Sequence, residues 1–306
     1  MRAPCFLLAF LLGPSRAQFL QHHAHAHHFD NIASRANKAK CFDATSWKAE
    51  FKKKQQWRKY SQGDQDSTVT SLFADENLGT TSKECVEFGF HDKDVLENPA
   101  RPPTGQFRDP RKGEVPCCGA NTQYLVAELG WKRHAFDATE EGVGQKLQYV
   151  TPMNVVDLFK KAGVSKAVDY VSIDIDSCDV WVFLALTDVY RPTVVSIEYN
   201  ANYALNESKT NKCIDPKSRS FFHAASFGHG FFGWSGSLRA LVKAGRRRGY
   251  ELVWVDPFLD AWFIRKDRLC PGSVPPINDF ADFVGQPFQN QDVSDEVKEH
   301  WIIEFH

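Results

Sequence analysis

The chain has 306 residues, enough for one large core or two modest ones, with 25% charged and 42% hydrophobic residues. Those proportions exclude a wholly disordered chain, and 24 Phe and 8 Trp call for a bulky core. A formal net charge of -1 removes the general electrostatic reason to expect a nucleic-acid partner.

At the N-terminus, Arg2, the apolar run Cys5–Leu12 and the small residues Ser15 and Ala17 have the layout of a cleaved secretory signal over residues 1–17. A short buried helix or an organelle pre-sequence is the alternative. The apolar run is too short to span a bilayer, so no stable membrane insertion is expected. His22, His23, His25, His27 and His28 follow. They read either as a flexible low-complexity tail or as an opportunistic site for Zn, Cu or Ni ions. Residues 30–60 are Lys-rich, and Trp47 and Phe51 sit one helical turn apart, which predicts a surface helix. Ser61–Thr68 reads as a linker. Tail, helix and linker thus fill 18–68, ahead of an α/β domain over 69–270 and a C-terminal tail over 271–306.

The α/β pattern opens with a short strand at Cys85–Phe90. His91–Gly119 is an irregular loop holding five prolines, long enough to be a lid or an acceptor-selecting element. Asn121 is the candidate cap of a helix that turns Leu125 and Leu129 inward and stops at Gly130. His134–Asp137 is a second strand. Thr151-Pro152 opens a helix with Val155, Val156, Leu158, Phe159 and Ala162 on one face and Gly163 as its stop. Tyr170–Ile173 and Thr193–Ile197 are β-branched runs too short for helices, with one crossover helix between them. They predict parallel strands buried on both faces.

Farther on, Tyr203–Ser220 is polar and contains the glycosylation sequon Asn206-Glu207-Ser208. Ser237 caps a helix with Leu238, Leu241 and Val242 inward and Arg246, Arg247 and Arg248 in its last turn. Glu251–Val255 and Ala261–Ile264 are joined too closely for anything but an antiparallel hairpin. In the tail, Phe280, Phe283, Phe288, Trp301 and Phe305 predict packing back onto the domain.

Carboxylates and amides collect at predicted strand ends, where open α/β sheets bind ligands. Asp174, Asp176 and Asp179 leave the central strand, and Glu198 and Asn200 leave the next. So many acids at one sheet edge call for something positive or hydrogen-donating in the gap. Gly89 admits a close backbone approach, helix-start amides at Asn121 and Thr122 suit a carboxylate or phosphate, and Asp137 suits ribose hydroxyls. Of the 8 Cys, Cys41, Cys117, Cys118, Cys213 and Cys270 are disulfide candidates, whereas Cys85 and Cys178 read as small buried hydrophobes.

Several segments together resemble the FkbM-like methyltransferases: Glu87-Phe88-Gly89, Asn121-Thr122, Gly130-Trp131, Thr151-Pro152-Met153-Asn154, Ser172-Ile173-Asp174-Ile175-Asp176, Asp179-Val180-Trp181, Arg191-Pro192, Ile197-Glu198-Tyr199-Asn200 and Gly236-Ser237-Leu238. The resemblance covers roughly 84–268. It implies a Rossmann-like, doubly wound, mostly parallel α/β sheet ending in an antiparallel hairpin, the class I methyltransferase arrangement. It also implies an S-adenosylmethionine cofactor and O-methylation of a small molecule or glycan. Glu87, Gly89, Asn121, Thr122, Asp137 and Asp174 are then the cofactor candidates, and Asp174, Asp176, Asp179 and Glu198 the catalytic ones.

Two other readings stay open. Asp174-x-Asp176 behind a secretory signal resembles the D-x-D element of glycosyltransferases, where carboxylates hold a divalent cation against a sugar nucleotide. Alternatively, the chain is a non-catalytic secreted scaffold that uses its His tract for metal.

Overall fold

The computed structural model describes residues 41–89, 120–137, 145–147, 150–175, 177–213, 235–285 and 302–306. The signal, the His tract, Asp176, the whole proline-containing loop His91–Gly119, Phe288 and Trp301 lie outside them. From Phe42 onward the described residues form one compact unit.

Its centre is a sheet of seven strands: β1 (Glu84–Phe88), β2 (Lys132–Asp137), β3 (Gln145–Leu147), β4 (Tyr170–Ile173), β5 (Val194–Glu198), β7 (Tyr250–Val255) and β8 (Asp260–Arg265). The spatial order is β3-β2-β1-β4-β5-β8-β7. Pairings from β3 to β5 are parallel, and β8 runs antiparallel to both β5 and β7. This is a doubly wound α/β sheet closed by the expected C-terminal hairpin. The strand order reverses at β1, which has β2 on one side and β4 on the other. The ligand crevice of such a sheet opens at the carboxyl ends of β1 and β4. A separate ribbon pairs β6 (Lys209–Asn211) with β9 (Ile302–Glu304).

The helices are α1 (Ala44–Phe51), α2 (Gln65–Leu72), α3 (Gln123–Leu129), α4 (Val155–Ala162), α5 (Asp179–Val189) and α6 (Leu238–Arg247). Their stops follow simple rules. Gly130 and Gly163 take left-handed φ at the ends of α3 and α4, and the Ser237 hydroxyl accepts from Ala240 N at the start of α6. Leu125 is buried as expected, but Leu129, the last residue of α3, is exposed.

The two faces of the sheet differ in chemistry. On one, Phe88 packs on Phe159 of α4 and Phe263 on Phe183 of α5, an apolar layer. On the other, the register sets Glu87, Ser172, Ser196 and Trp262 side by side in one row across four strands. Tyr170 bonds Ser196 at 2.8 Å and Ser196 bonds Ser172 at 3.2 Å. The strands are therefore buried on both faces as expected, but one face is polar.

That polar face is covered by a segment expected to be a surface helix and linker. Trp47 and Phe51 stack at 4.9 Å and both meet Trp254 edge-on. The expected linker Ser61–Thr68 is instead the entry to α2, with Gln65, Asp66, Ser67 and Thr68 buried. Its polar composition suits a polar sheet face, not solvent. At the other end of the chain, Phe280 and Phe305 are buried, so the observed part of the tail packs back as expected.

Cys178 and Cys213 form a disulfide, and Cys41 and Cys270 are also disulfide-bonded. Cys178 was expected to be a buried thiol; its place at the start of α5 brings it instead against the Cys213 turn. Cys85 is the free, buried cysteine among the described residues. Closing a loop of sequence separation 35 restricts the unfolded chain by about 3–4 kcal/mol on the chain-entropy model. These bonds fit an oxidising, secretory-pathway environment. Among the described residues no helix is long and apolar enough to cross a membrane.

If α1 belongs to the core, Trp47→Ala should cost about 3–5 kcal/mol in denaturant unfolding, as for other buried aromatics. A loss below about 0.5 kcal/mol, the usual surface effect, would return α1 to the exterior.

Candidate functional site

The carboxyl ends of β1, β2, β4 and β5 bring Gly89, Asp137, Asp174 and Glu198 to one edge of the sheet. Gly89 has φ +71, and a Cβ there would lie 1.5 Å from the Asp174 carbonyl oxygen. Glycine is required at the switch point because β1 and β4 close on each other, which sets the position of Asp174. Asp174 is half-buried, as is Glu198. Asp137 ends β2 one strand away from Gly89, with its backbone paired to Leu147.

The other sequence candidates form a layer beneath that edge. Glu87 is buried, and its carboxylate accepts from Asn121 N at 2.5 Å, from Thr122 N at 3.1 Å and from the Thr122 hydroxyl. The helix-start amides expected to meet a ligand carboxylate thus meet a carboxylate of the chain itself. Asn121 is not the cap of α3, a place taken by Thr122 without a side-chain bond. The Asn121 amide donates instead to Ser172 Oγ at 3.1 Å and Asp260 Oδ2 at 3.0 Å. Asp179 is buried and closes its own turn, accepting from Ile175 N at 2.9 Å and Ser177 N at 3.0 Å. Glu87, Asn121, Thr122 and Asp179 therefore work as anchors of the backbone around the edge. Among the described residues, Gly89, Asp137, Asp174 and Glu198 are the sequence candidates at the edge itself.

Sequence reasoning missed the acids that complete the polar layer. Asp256 and Asp260 flank the hairpin turn and are both buried. Asp256 accepts from Trp254 Nε1 at 2.8 Å, Trp262 Nε1 at 2.7 Å and Thr68 Oγ1 at 3.1 Å. Asp260 Oδ2 also accepts from Gln65 Nε2 at 3.0 Å, while its Oδ1 is buried with no hydrogen-bond partner. The signal was available in Trp254-Val255-Asp256 and Asp260-Ala261-Trp262. At strand period two, each Asp shares a face with its Trp, whose N–H must find an acceptor when buried.

Burial pushes the Asp256 carboxyl up to about 7, helped by the Asp260 charge, and the Asp260 carboxyl up to about 6. Burial also raises Glu87 and Asp66, with Arg133 opposing the shift at Glu87. These groups resist ionisation because water is excluded and hydrogen bonds make up only part of the loss.

Among the described residues no group of three or more His, Cys, Asp or Glu is placed to hold a metal ion. Asp176 and the five histidines of the N-terminal tract lie outside the described residues. No protein-family model matches this chain, and no curated protein matches it.

The buried acids generate a pH dependence with a definite sign. Their folded-state pKa values lie above the ordinary carboxylate value, so their favourable contribution is complete below about pH 4. It is lost as pH rises through about 6 for Asp260 and about 7 for Asp256. Unfolding free energy should therefore fall by a few kcal/mol between pH 5 and 8, at about 1.4 kcal/mol for each tenfold gain in proton affinity on folding. Asp260→Asn should flatten that slope and raise stability at pH 8. An unchanged slope in denaturant titrations of this variant would show that Asp260 is ionised throughout. Separately, Gly89→Ala should displace Asp174 and lower the melting temperature by several degrees, equivalent to roughly 1–3 kcal/mol of backbone strain. An unaltered melting curve would contradict the close β1–β4 approach.

Proposed function

We propose that the chain is an S-adenosylmethionine-dependent methyltransferase of the secretory pathway that acts on a hydroxyl of a small molecule or glycan. The carrying observation is the strand order β3-β2-β1-β4-β5-β8-β7 with β8 alone reversed within that sheet. It is the arrangement implied by the methyltransferase resemblance, and it puts the acidic strand ends around the β1/β4 switch. The disulfides support passage through an oxidising compartment, for which residues 1–17 have the pattern of a signal.

The residues at the edge fit a nucleoside-bearing donor. Gly89 offers no side chain at the switch point, and Asp137 has the carboxylate chemistry to accept from ribose hydroxyls. When bound, the donor supplies an electrophilic methyl group on a sulfonium. Asp174 is the residue to orient the acceptor hydroxyl and take its proton as the oxygen becomes a nucleophile. Glu198, at the end of the adjacent strand, flanks the same space and keeps it anionic, which favours a cationic donor. Glu87 acts indirectly, by holding the Asn121-Thr122 backbone in place.

Calorimetric titration with S-adenosylhomocysteine is the direct test. Saturable binding is expected, weakened by Asp137→Asn, and Asp174→Asn should lower methyl transfer by at least about a hundredfold, the scale of one positioned acid–base group. Melting temperature should stay unchanged in Asp174→Asn. No binding of that ligand, together with binding of a sugar nucleotide that requires Mn, would replace this reading with the glycosyltransferase one.

A further inference from the structure

The turn that carries Asp174 out of β4 is held from outside the main sheet. On its inner side Asp179 fastens the amides of Ile175 and Ser177. On its outer side three ties run to the β6 region. They are the Cys178–Cys213 disulfide, a hydrogen bond from the Asn211 amide to the Ser177 carbonyl, and one from Trp181 Nε1 to the Asn211 carbonyl at 2.9 Å.

Strand β6 pairs with the end of the chain, not with the central sheet. Asn211 faces Ile302 and Lys209 faces Glu304 in that register. Phe305 donates its N–H to the Ser208 carbonyl at 2.7 Å, and its own carbonyl accepts from the Ser208 hydroxyl at 2.5 Å and from Lys243 Nζ at 2.9 Å. The Phe305 ring meets Trp181 edge-on at 5.7 Å. Gly236 also sits so near that a Cβ would lie 2.5 Å from Val180 Cγ2. Residues 302–306 thus complete a two-stranded ribbon that closes on the first turn of α5, directly behind the Asp174 turn.

We infer that this ribbon and its disulfide are a positioning brace for Asp174. Asp174 stands immediately before Ile175, whose amide Asp179 holds, and a turn leaving a strand end is otherwise free to open locally. Ties from the ribbon remove that freedom before any ligand arrives, so a reacting group keeps its alignment without ordering cost at each turnover. Cys213, Trp181, Asn211 and Phe305 are then positioning residues that touch neither donor nor acceptor. The consequence for turnover rests on the methyltransferase reading; the brace itself does not.

The test compares Phe305→Ala, and separately the double variant Cys178→Ser/Cys213→Ser, with the full chain by amide hydrogen exchange. Exchange at Ile175 and Ser177 should accelerate at least about tenfold in both variants while Val171 and Val195 in the central sheet stay protected, the pattern of local opening. In methyl transfer, kcat should fall with the donor Kd unchanged. Unaltered exchange at Ile175 and Ser177 would overturn the brace. So would equal acceleration across the sheet, because the ribbon would then be ordinary core. If the double variant does not fold, Phe305→Ala decides alone. A full chain that binds no methyl donor would remove the methyltransferase reading, while the exchange result still decides the brace.

Discussion

A row of polar groups shut away from water governs this molecule. Glu87, Ser172 and Ser196 stand on one face of the central sheet, and each must find partners there or cost several kcal/mol. The partners come from far along the chain. The backbone at Asn121 and Thr122 satisfies Glu87, the Asn121 side chain spans from Ser172 to Asp260, and Gln65 reaches Asp260 from α2. One connected network therefore fixes α2, the start of α3 and the hairpin turn on the same surface. An apolar replacement of any one member would strand the others.

This division of labour reshapes the candidate site. The acids around the sheet edge fall into two layers with different chemistry. Glu87, Asp179, Asp256 and Asp260 are buried and accept from backbone amides, indoles and amide side chains, with Asp260 Oδ1 left over. Asp174 and Glu198 lie half-buried at the edge, at the carboxyl ends of β4 and β5. The lower layer sets the upper one. Gly89 meets the Asp174 carbonyl at the top of β1, and Asp179 closes the turn that follows. Precision at the edge is thus a property of groups that need never touch a ligand.

Local pattern made much of the fold legible. The β-branched runs around Val171 and Val195, the glycine stops at Gly130 and Gly163, the Ser237 cap and the short link of the hairpin each have a local physical cause, and each element formed where that cause lay. What escaped depended on distant partners. Ser61–Thr68 is polar because it covers a polar sheet face, and polarity alone cannot distinguish that from a linker. Cys178 resembled a core thiol because its partner Cys213 comes from another strand's turn. Glu87 and Asn121 stood out in the sequence as motif residues, but only the register of β1 with β4 shows that they serve each other and the sheet. Edge strand β3 and the β6–β9 ribbon, each strand only three residues long, carry too little periodicity to announce themselves.

Amide chemical-shift mapping with S-adenosylhomocysteine would locate binding at the β1/β4 switch or away from it. Saturable shifts are expected to concentrate at Gly89, Asp137 and Ile175, with little change at Glu84, Lys132 and Asp169 on the amino-terminal edge of the sheet. Shifts confined to that opposite edge, or none at saturating ligand, would contradict binding at the switch.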